Sequence, residues 1–177
     1  GVRIIGDLPI YVSGDSVDVW AHPEQFQLDG DRLPHEVAGV PPDGFSADGQ
    51  LWGNPLFDWD AMSRDGYAWW KRRMAYQYEI YDVLRIDHFR GFDSYYAVPY
   101  GEATARNGRW RQGPGRALFQ AAIVGYLLDI QGNQGIQNFS AEDVQVLPGT
   151  DIDAIVVNVA IQALDSVEKI YMTIEIN

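Results

Sequence analysis

The amino-acid composition changes sharply near residue 120, and this change constrains the fold more than any other feature of the sequence. All six tryptophans, all three histidines and eight of the nine prolines lie before that point. The later residues contain neither Trp nor His and consist of short β-branched runs separated by Gln, Asn, Gly and Asp. We therefore place a boundary between Phe119 and Ile123, with one unit over residues 1–120 and a second over residues 123–177.

The length and charge of the chain exclude several classes of protein. Its 177 residues are fewer than the roughly 250 of a complete (β/α)8 barrel. A net charge of −12 argues against a nucleic-acid partner, because phosphates attract clusters of lysine and arginine. With no cysteine and no apolar run of about 18 residues, we expect a cytoplasmic protein without disulfides, a thiolate metal site or a membrane span. Gly1 lies just before a predicted strand, which indicates missing sequence before it.

The order of elements in the first unit predicts a parallel α/β fold. Residues 3–12 read as a strand, and residues 23–59 as a long irregular stretch rich in Gly, Pro and Asp. Residues 66–83 then carry four apolar side chains at helical spacing, and the helix leads into a short buried strand over residues 83–86. Those four side chains are Trp70, Met74, Tyr78 and Tyr81.

In the second unit, apolar residues alternate with other residues, as is typical of β-strands. Apolar residues occupy every second position from Ile155 to Ile161 and again from Ile170 to Ile176. The spacing predicts an antiparallel strand pair, with the apolar run Ile123 to Ile130 as a helix covering one face. We therefore expect a small α+β unit with one sheet edge open for self-association.

The run "RIDHFRGF" at residues 85–92 places charged groups at a strand end, where α/β enzymes carry their chemistry. Arg85 and Asp87 are two residues apart, so both point to the same face of the strand. A guanidinium beside a carboxylate holds it ionised, which suits a nucleophile or a charge stabiliser. A purely structural ion pair would have the same spacing.

The stretch "GVPPDGFSADGQLWGNPLFDW" at residues 39–59 mixes aromatic rings with amides and carboxylates, as sugar-binding loops do. Its candidate binding residues are Phe45, Trp52 and Asn54, although aromatic side chains that only anchor a long loop would look the same. The histidines lack metal-ligand spacing. The sequence contains neither a Gly-rich phosphate loop nor a nucleophile-elbow serine.

Four runs, in order and at natural spacing, closely resemble the 4-α-glucanotransferase (amylomaltase) family. They are "GDLPIYVSGDSVDVWAHPEQFQLDG", "VAGVPPDGFSADGQLWGNPLFDW", "RIDHFRGF" and "TARNGRWRQGPGRALF". The resemblance covers residues 1 to about 120. It implies a fragment of a (β/α)8 barrel that acts on α-1,4-glucans, with neither a cofactor nor a metal.

The resemblance also implies roles for individual residues. Asp87 matches the nucleophile that forms a covalent glucosyl intermediate, and Arg85 would fix and ionise it. His88 would hydrogen-bond the sugar beside the cleaved bond. Trp52 matches the loop that covers the donor glucan, and Asp15 lies on the loop after an earlier barrel strand.

The second carboxyl group of a retaining mechanism is weakly matched. The family carries it in a motif resembling Ala-Glu-Asp-Leu-Gly followed by Ile-Thr-Pro, whereas this chain has "FSAEDVQVLPG". Glu142 is therefore the candidate for the acid, although the match is incomplete. The family's third acidic residue, expected in a Thr-His-Asp-Asn motif, is missing, because "GTDID" at residues 149–153 has no histidine. We expect the chain by itself to have little or no transferase activity.

Residues 123–177 resemble a different family, the C-terminal end of phage contractile-tail sheath proteins, through "VEKIYMTIEIN" and the alternating strand. A natural fusion, a misassembled sequence and a deliberate fusion would all produce this pattern. The leading hypothesis is thus a glucanotransferase fragment joined to a sheath-like segment. The alternatives are a structural assembly module and a carbohydrate-binding remnant without catalysis.

Overall fold

The computed structural model describes residues 1–149, 155–164 and 170–176. The chain divides into two compact units, Gly1–Pro114 and Gly115–Asn177. The boundary expected between Phe119 and Ile123 falls inside a helix that belongs to the second unit. In the part of the chain that the structure describes, no helix is long and apolar enough to span a bilayer.

The first unit combines three helices with six strands. The helices are α1 (Val17–Ala21), α2 (Trp59–Arg64) and α3 (Ala68–Ile80). The strands are β1 (Ile5–Pro9), β2 (Glu36–Val40), β3 (Gln50–Pro55), β4 (Val83–Asp87), β5 (Ser94–Pro99) and β6 (Arg109–Gln112).

The strands β1 and β4 form a parallel pair, as the order of elements predicts. The register runs from Ile5 opposite Val83 to Pro9 opposite Asp87. β4 is not the buried strand that we expected, since Val83 is 43% exposed and its whole face of the strand is open. The reason is that β4 has β1 as its only strand partner among the described residues. The pair is compatible with an α/β fold, and the partial barrel stays a prediction.

The stretch over residues 23–59 is not irregular, as the sequence had suggested, but contains two strands of an antiparallel sheet. The strand order is β3-β2-β5-β6. β2 lies inside the sheet, where Ala38 faces Ala97 and Val37 faces Val98 of β5. This partner lies far along the chain, and local composition does not reveal such pairing.

An aromatic cluster forms the centre of the first unit. Phe57 lies between the rings of Phe26, Trp69 and Trp70, at centroid distances of 5.3, 5.4 and 5.4 Å. α3 contributes to this cluster through Trp69 and Trp70, which are both buried. The predicted apolar stripe of α3 is only partly buried, because Tyr78 further along the helix is exposed.

In its described residues, the second unit is a helix packed on a small sheet, as its sequence predicts. Helix α4 (Arg116–Gly132) precedes β7 (Ile136–Gln137), β8 (Val144–Pro148), β9 (Ile155–Ala163) and β10 (Ile170–Ile176). β9 pairs antiparallel with β10 along one edge and with β7 and β8 along the other. The helix packs Ile123, Val124, Leu127 and Ile130 against a core that includes Val157 and Val159. The connection over 165–169 lies outside the described residues.

Candidate functional site

The candidate site forms at the carboxyl end of β4, because the chain turns sharply there. Asp87 is the last residue of the strand. His88 then adopts a left-handed backbone conformation, with φ of 54°. A 3-10 turn over Phe89–Phe92 follows immediately. The two side chains thus lie at the point where the strand becomes a turn, as the sequence predicts.

One guanidinium joins two carboxylates across the parallel strand pair. Arg85 Nη2 donates to Asp87 Oδ1 at 2.7 Å, which confirms that both side chains share a face. Arg85 Nη1 lies 3.3 Å from Asp7 Oδ1 on β1, where Asp7 is the register partner of Arg85. The three side chains are 55–62% exposed. The arrangement fixes the Asp87 carboxylate while leaving it open to an incoming molecule.

His88 lies beside two aromatic rings, next to this charged group. Its ring is 4.9 Å from the Trp52 ring and 6.3 Å from the Tyr11 ring, measured between centroids. Burial lowers the pKa of His88, as does the nearby positive charge of Arg90, while Asp87 opposes both by raising it. The imidazole is therefore biased toward its neutral form, which can both donate and accept a hydrogen bond.

The glycine of the run "HFRG" is required by close packing. A Cβ atom at Gly91 would lie 2.7 Å from Ile10 Cδ1 and 3.3 Å from His88 Cδ2. The absence of a side chain at Gly91 lets the turn approach the segment after β1. This approach holds His88 beside Tyr11.

Trp52 and Asn54 lie on β3 and contribute differently to the site. The Trp52 indole faces His88 edge to face and is 38% exposed, and its Nε1 donates to Gln50 Oε1 at 3.0 Å. Asn54 Nδ2 donates to the Val12 carbonyl oxygen at 2.9 Å. Trp52 thus offers an accessible ring, while Asn54 ties β3 to the segment after β1.

Two other predicted binding residues, Asp15 and Phe45, lie on exposed loops. Asp15 accepts a hydrogen bond from the Ser13 hydroxyl. The Phe45 side chain is fully exposed, and its backbone N–H donates to Asp43 Oδ1 at 2.8 Å. Their proposed contacts with a glucan remain predictions.

Glu142 belongs to the second unit, in an exposed 3-10 turn over Ala141–Asp143 that precedes β8. The neighbouring Asp143 has a structural role, because its carboxylate accepts from the backbone N–H and the hydroxyl of Ser140. Most of "GTDID", at residues 150–153, lies outside the described residues. The role of Glu142 as an acid remains a prediction.

Two residues beside the candidate site, Asp7 and Tyr11, are not among those predicted from the sequence. The signal for Asp7 was available, because β1 and β4 were both predicted as strands of a parallel sheet and adjacent strands would bring Asp7 opposite Arg85. Tyr11 had no such signal, since its contacts with Trp52 and His88 depend on the turn after β1. Among the residues that the structure describes, no group of three or more His, Asp or Glu side chains could hold a metal ion.

Comparison with known proteins gives consistent matches for most of the chain. The model of the 4-alpha-glucanotransferase family matches residues 1–153, which extends past residue 120 and includes Glu142. A 4-alpha-glucanotransferase from Aquifex aeolicus (strain VF5) is 56% identical over 123 residues, which are 70% of this chain and 25% of that protein. The chain therefore spans about a quarter of the length of the curated relatives that it matches.

Among solved structures, an amylomaltase is similar to this chain in fold. The amylomaltase from Streptococcus agalactiae in complex with acarbose has a TM-score of 0.67 and 50% identity, over 69% of this chain and 25% of that one. A sheath tail protein from Desulfitobacterium hafniense covers 37% of this chain at a TM-score of 0.34. A match at that score carries no conclusion about the second unit.

Proposed function

Because the chain belongs to the 4-alpha-glucanotransferase family, we propose that its first unit carries the nucleophile side of a retaining site that transfers α-1,4-glucan segments. The observation that carries the proposal is the ion pair of Arg85 and Asp87 at the end of β4, next to His88 and Trp52. In such a site a fixed carboxylate, a neutral hydrogen-bonding group and an accessible ring each contact the sugar at the cleaved bond.

Asp87 would act in two steps. In the first, its carboxylate attacks the anomeric carbon, the bond to the leaving glucan oxygen breaks, and a glucosyl ester forms. The leaving oxygen takes a proton from a carboxylic acid. In the second, that group, now a carboxylate, accepts the proton of an acceptor glucan hydroxyl, which attacks the same carbon and releases Asp87 as a carboxylate.

The neighbours of Asp87 have separate parts in this proposal. Arg85 orients the carboxylate through its 2.7 Å contact. His88, biased toward its neutral form, donates a hydrogen bond to a sugar hydroxyl beside the cleaved bond. Trp52 provides the ring against which the donor glucan packs, and the covered site would exclude water in favour of an acceptor hydroxyl.

We further propose that β1 and β4 are two strands of a (β/α)8 barrel and that their open face is the barrel interior. Ile5 and Val83 lie on this face with the charged groups and are exposed. An open apolar face beside the nucleophile admits water and leaves the glucan without a closed site. The chain alone should therefore have little or no activity.

A segment exchange tests the assignment of Asp87. Residues 1–114 replace the matching segment of the Aquifex aeolicus relative, and the chimera is incubated with maltotriose. We expect longer and shorter glucans to form, and Asp87→Asn to abolish them. Asp7→Asn is the matched control, because Asp7 contacts the same guanidinium but is not the nucleophile, and this variant should keep measurable activity. Full activity in the Asp87→Asn chimera would refute the proposal.

A second exchange tests Glu142. Here residues 1–149 replace the matching segment of the Aquifex aeolicus relative. Glu142 is then the candidate for the acid within the exchanged segment. We expect this chimera to be inactive, because "FSAEDVQVLPG" has Val-Gln where the family's motif has Leu-Gly and lacks the Ile-Thr-Pro that follows it. Activity that Glu142→Gln removes would instead establish Glu142 as the acid.

A further inference from the structure

The middle of helix α3 is bonded to the end of β1 through one arginine. Arg73 Nη1 donates to the Ile10 carbonyl oxygen at 3.0 Å, and Nη2 donates to the Pro9 carbonyl oxygen at 2.8 Å. Pro9 is the last residue of β1, and Ile10, which is almost fully buried, follows it. Because one guanidinium bonds two successive carbonyls, it fixes the path of the chain where β1 ends.

Arg73 is itself held firmly. Its guanidinium carbon lies 5.1 Å from the centre of the Trp69 ring and 4.9 Å from that of Trp70. Burial lowers the pKa of Arg73 to about 10, against an opposing effect of Asp18, so the side chain stays positively charged near neutral pH. Two hydrogen bonds and two cation–π contacts leave the guanidinium little freedom.

The residue that follows these two carbonyls contacts the candidate site. Tyr11 follows Ile10 directly, and its ring lies 6.2 Å from the Trp52 ring and 6.3 Å from the His88 ring. The same ring is stacked on Phe57 at 6.2 Å. A change in the backbone at Pro9 and Ile10 would therefore move a side chain that contacts both His88 and Trp52.

We propose that Arg73 is a positioning residue for the candidate transfer site: by clamping the carbonyls of Pro9 and Ile10, it sets the place of Tyr11 and, through Tyr11, the environment of His88 and Trp52. The inference rests on the proposed function, because it assigns Arg73 a part in the transfer site. The contacts of Arg73 and Tyr11 themselves do not depend on any activity. The hydrogen bonds and ring contacts of Arg73 are with Pro9, Ile10, Trp69 and Trp70, and none of them is with Asp87.

The test measures His88 and Trp52 in the whole chain by NMR. Arg73→Met removes the donors and keeps the apolar stem, whereas Arg73→Lys keeps a positive donor that can reach the carbonyls. Arg72→Met is the matched control, because Arg72 is an exposed neighbour on the same helix. The titration of each histidine is followed from its ring protons, with His88 assigned by His88→Gln. The groups that face His88 are Asp87, Arg90, Tyr11 and Trp52.

We expect Arg73→Met to raise the His88 pKa toward its ordinary value, because a displaced Tyr11 leaves the imidazole more hydrated. The Trp52 indole N–H signal should shift as well, although that ring is not one of the two that contact Arg73. Arg73→Lys should restore both signals in part, and Arg72→Met should leave them unchanged. In a Tyr11→Leu background, Arg73→Met should produce no further change.

Unchanged His88 and Trp52 signals in a folded Arg73→Met variant would overturn the inference. The same shift in the Tyr11→Leu background would also overturn it, because the effect would then not pass through Tyr11. If both Arg73 variants fail to fold, Arg73 serves the fold as a whole and the inference is likewise wrong. If the predicted shifts appear but the 1–114 chimera is inactive, the proposed function is refuted and the inference about Arg73 stands.

Discussion

Arg85 Nη2 and Asp87 Oδ1 lie 2.7 Å apart on one face of β4, and the same guanidinium reaches Asp7 on the neighbouring strand. A bridge of this kind orients a carboxylate from one side and leaves its other oxygen accessible. More than half of each of the three side chains is exposed. Such exposed ion pairs contribute little to the stability of a fold.

The first prediction follows from that exposure. Arg85→Met should change the free energy of unfolding of the chain by no more than about 1 kcal/mol, because exposed ion pairs contribute little. Urea unfolding followed by tryptophan fluorescence measures it. Arg106→Met is the control, since Arg106 forms an equally exposed pair with Asp48. A loss above about 2 kcal/mol for Arg85→Met alone would show that the bridge holds the fold together.

The second prediction concerns the close approach at Gly91. Gly91→Ala should destabilise the first unit by about 1–3 kcal/mol, because the added methyl group overlaps Ile10 and crowds His88. Gly44→Ala is the matched control, since a Cβ there would have no neighbour within 4 Å. Both are compared by urea unfolding. Equal stability of the two variants would mean that the turn after β4 adjusts freely.

The third prediction is a pH dependence that arises from His88. Burial lowers its pKa from the ordinary 6.5, so between the two values the unfolded chain binds more protons than the folded one. The free energy of unfolding should therefore fall as the pH drops through about 6.5 toward the lowered value. Urea unfolding between about pH 8 and about pH 5 measures this slope. His88→Gln should flatten it, and an unchanged slope would contradict the assignment.

The fourth prediction concerns the outer strand of the second unit. In the described part of the sheet, β10 pairs with β9 alone, and Ile170 and Tyr171 are exposed on it. We expect concentration-dependent self-association through this edge, because an open strand edge pairs with other chains. Sedimentation velocity should show the association weakened by Ile170→Lys. Leu147→Lys on β8, also exposed, is the control, and equal effects of the two variants would place the contact elsewhere.

Local sequence patterns were sufficient for several parts of the molecule. The two-residue spacing of Arg85 and Asp87 placed both on one face, because side chains alternate along any strand. The same period in the second unit predicted the pairing of β9 with β10, and its apolar run predicted α4. These features depend on residues that are close in sequence, where the backbone geometry alone fixes their relative directions.

Other parts were decided only when distant segments came together. The sequence of β2 reads as part of an irregular stretch, because its pairing with β5 depends on a strand much further along the chain. The burial of β4 could not be read from its apolar residues, since it depends on how many strands flank it. Alternation along β4 is enough to place Asp87 on the same face as Arg85. Tyr11, His88 and Trp52 meet beside it only in the folded chain, because contacts between distant segments depend on how whole elements pack.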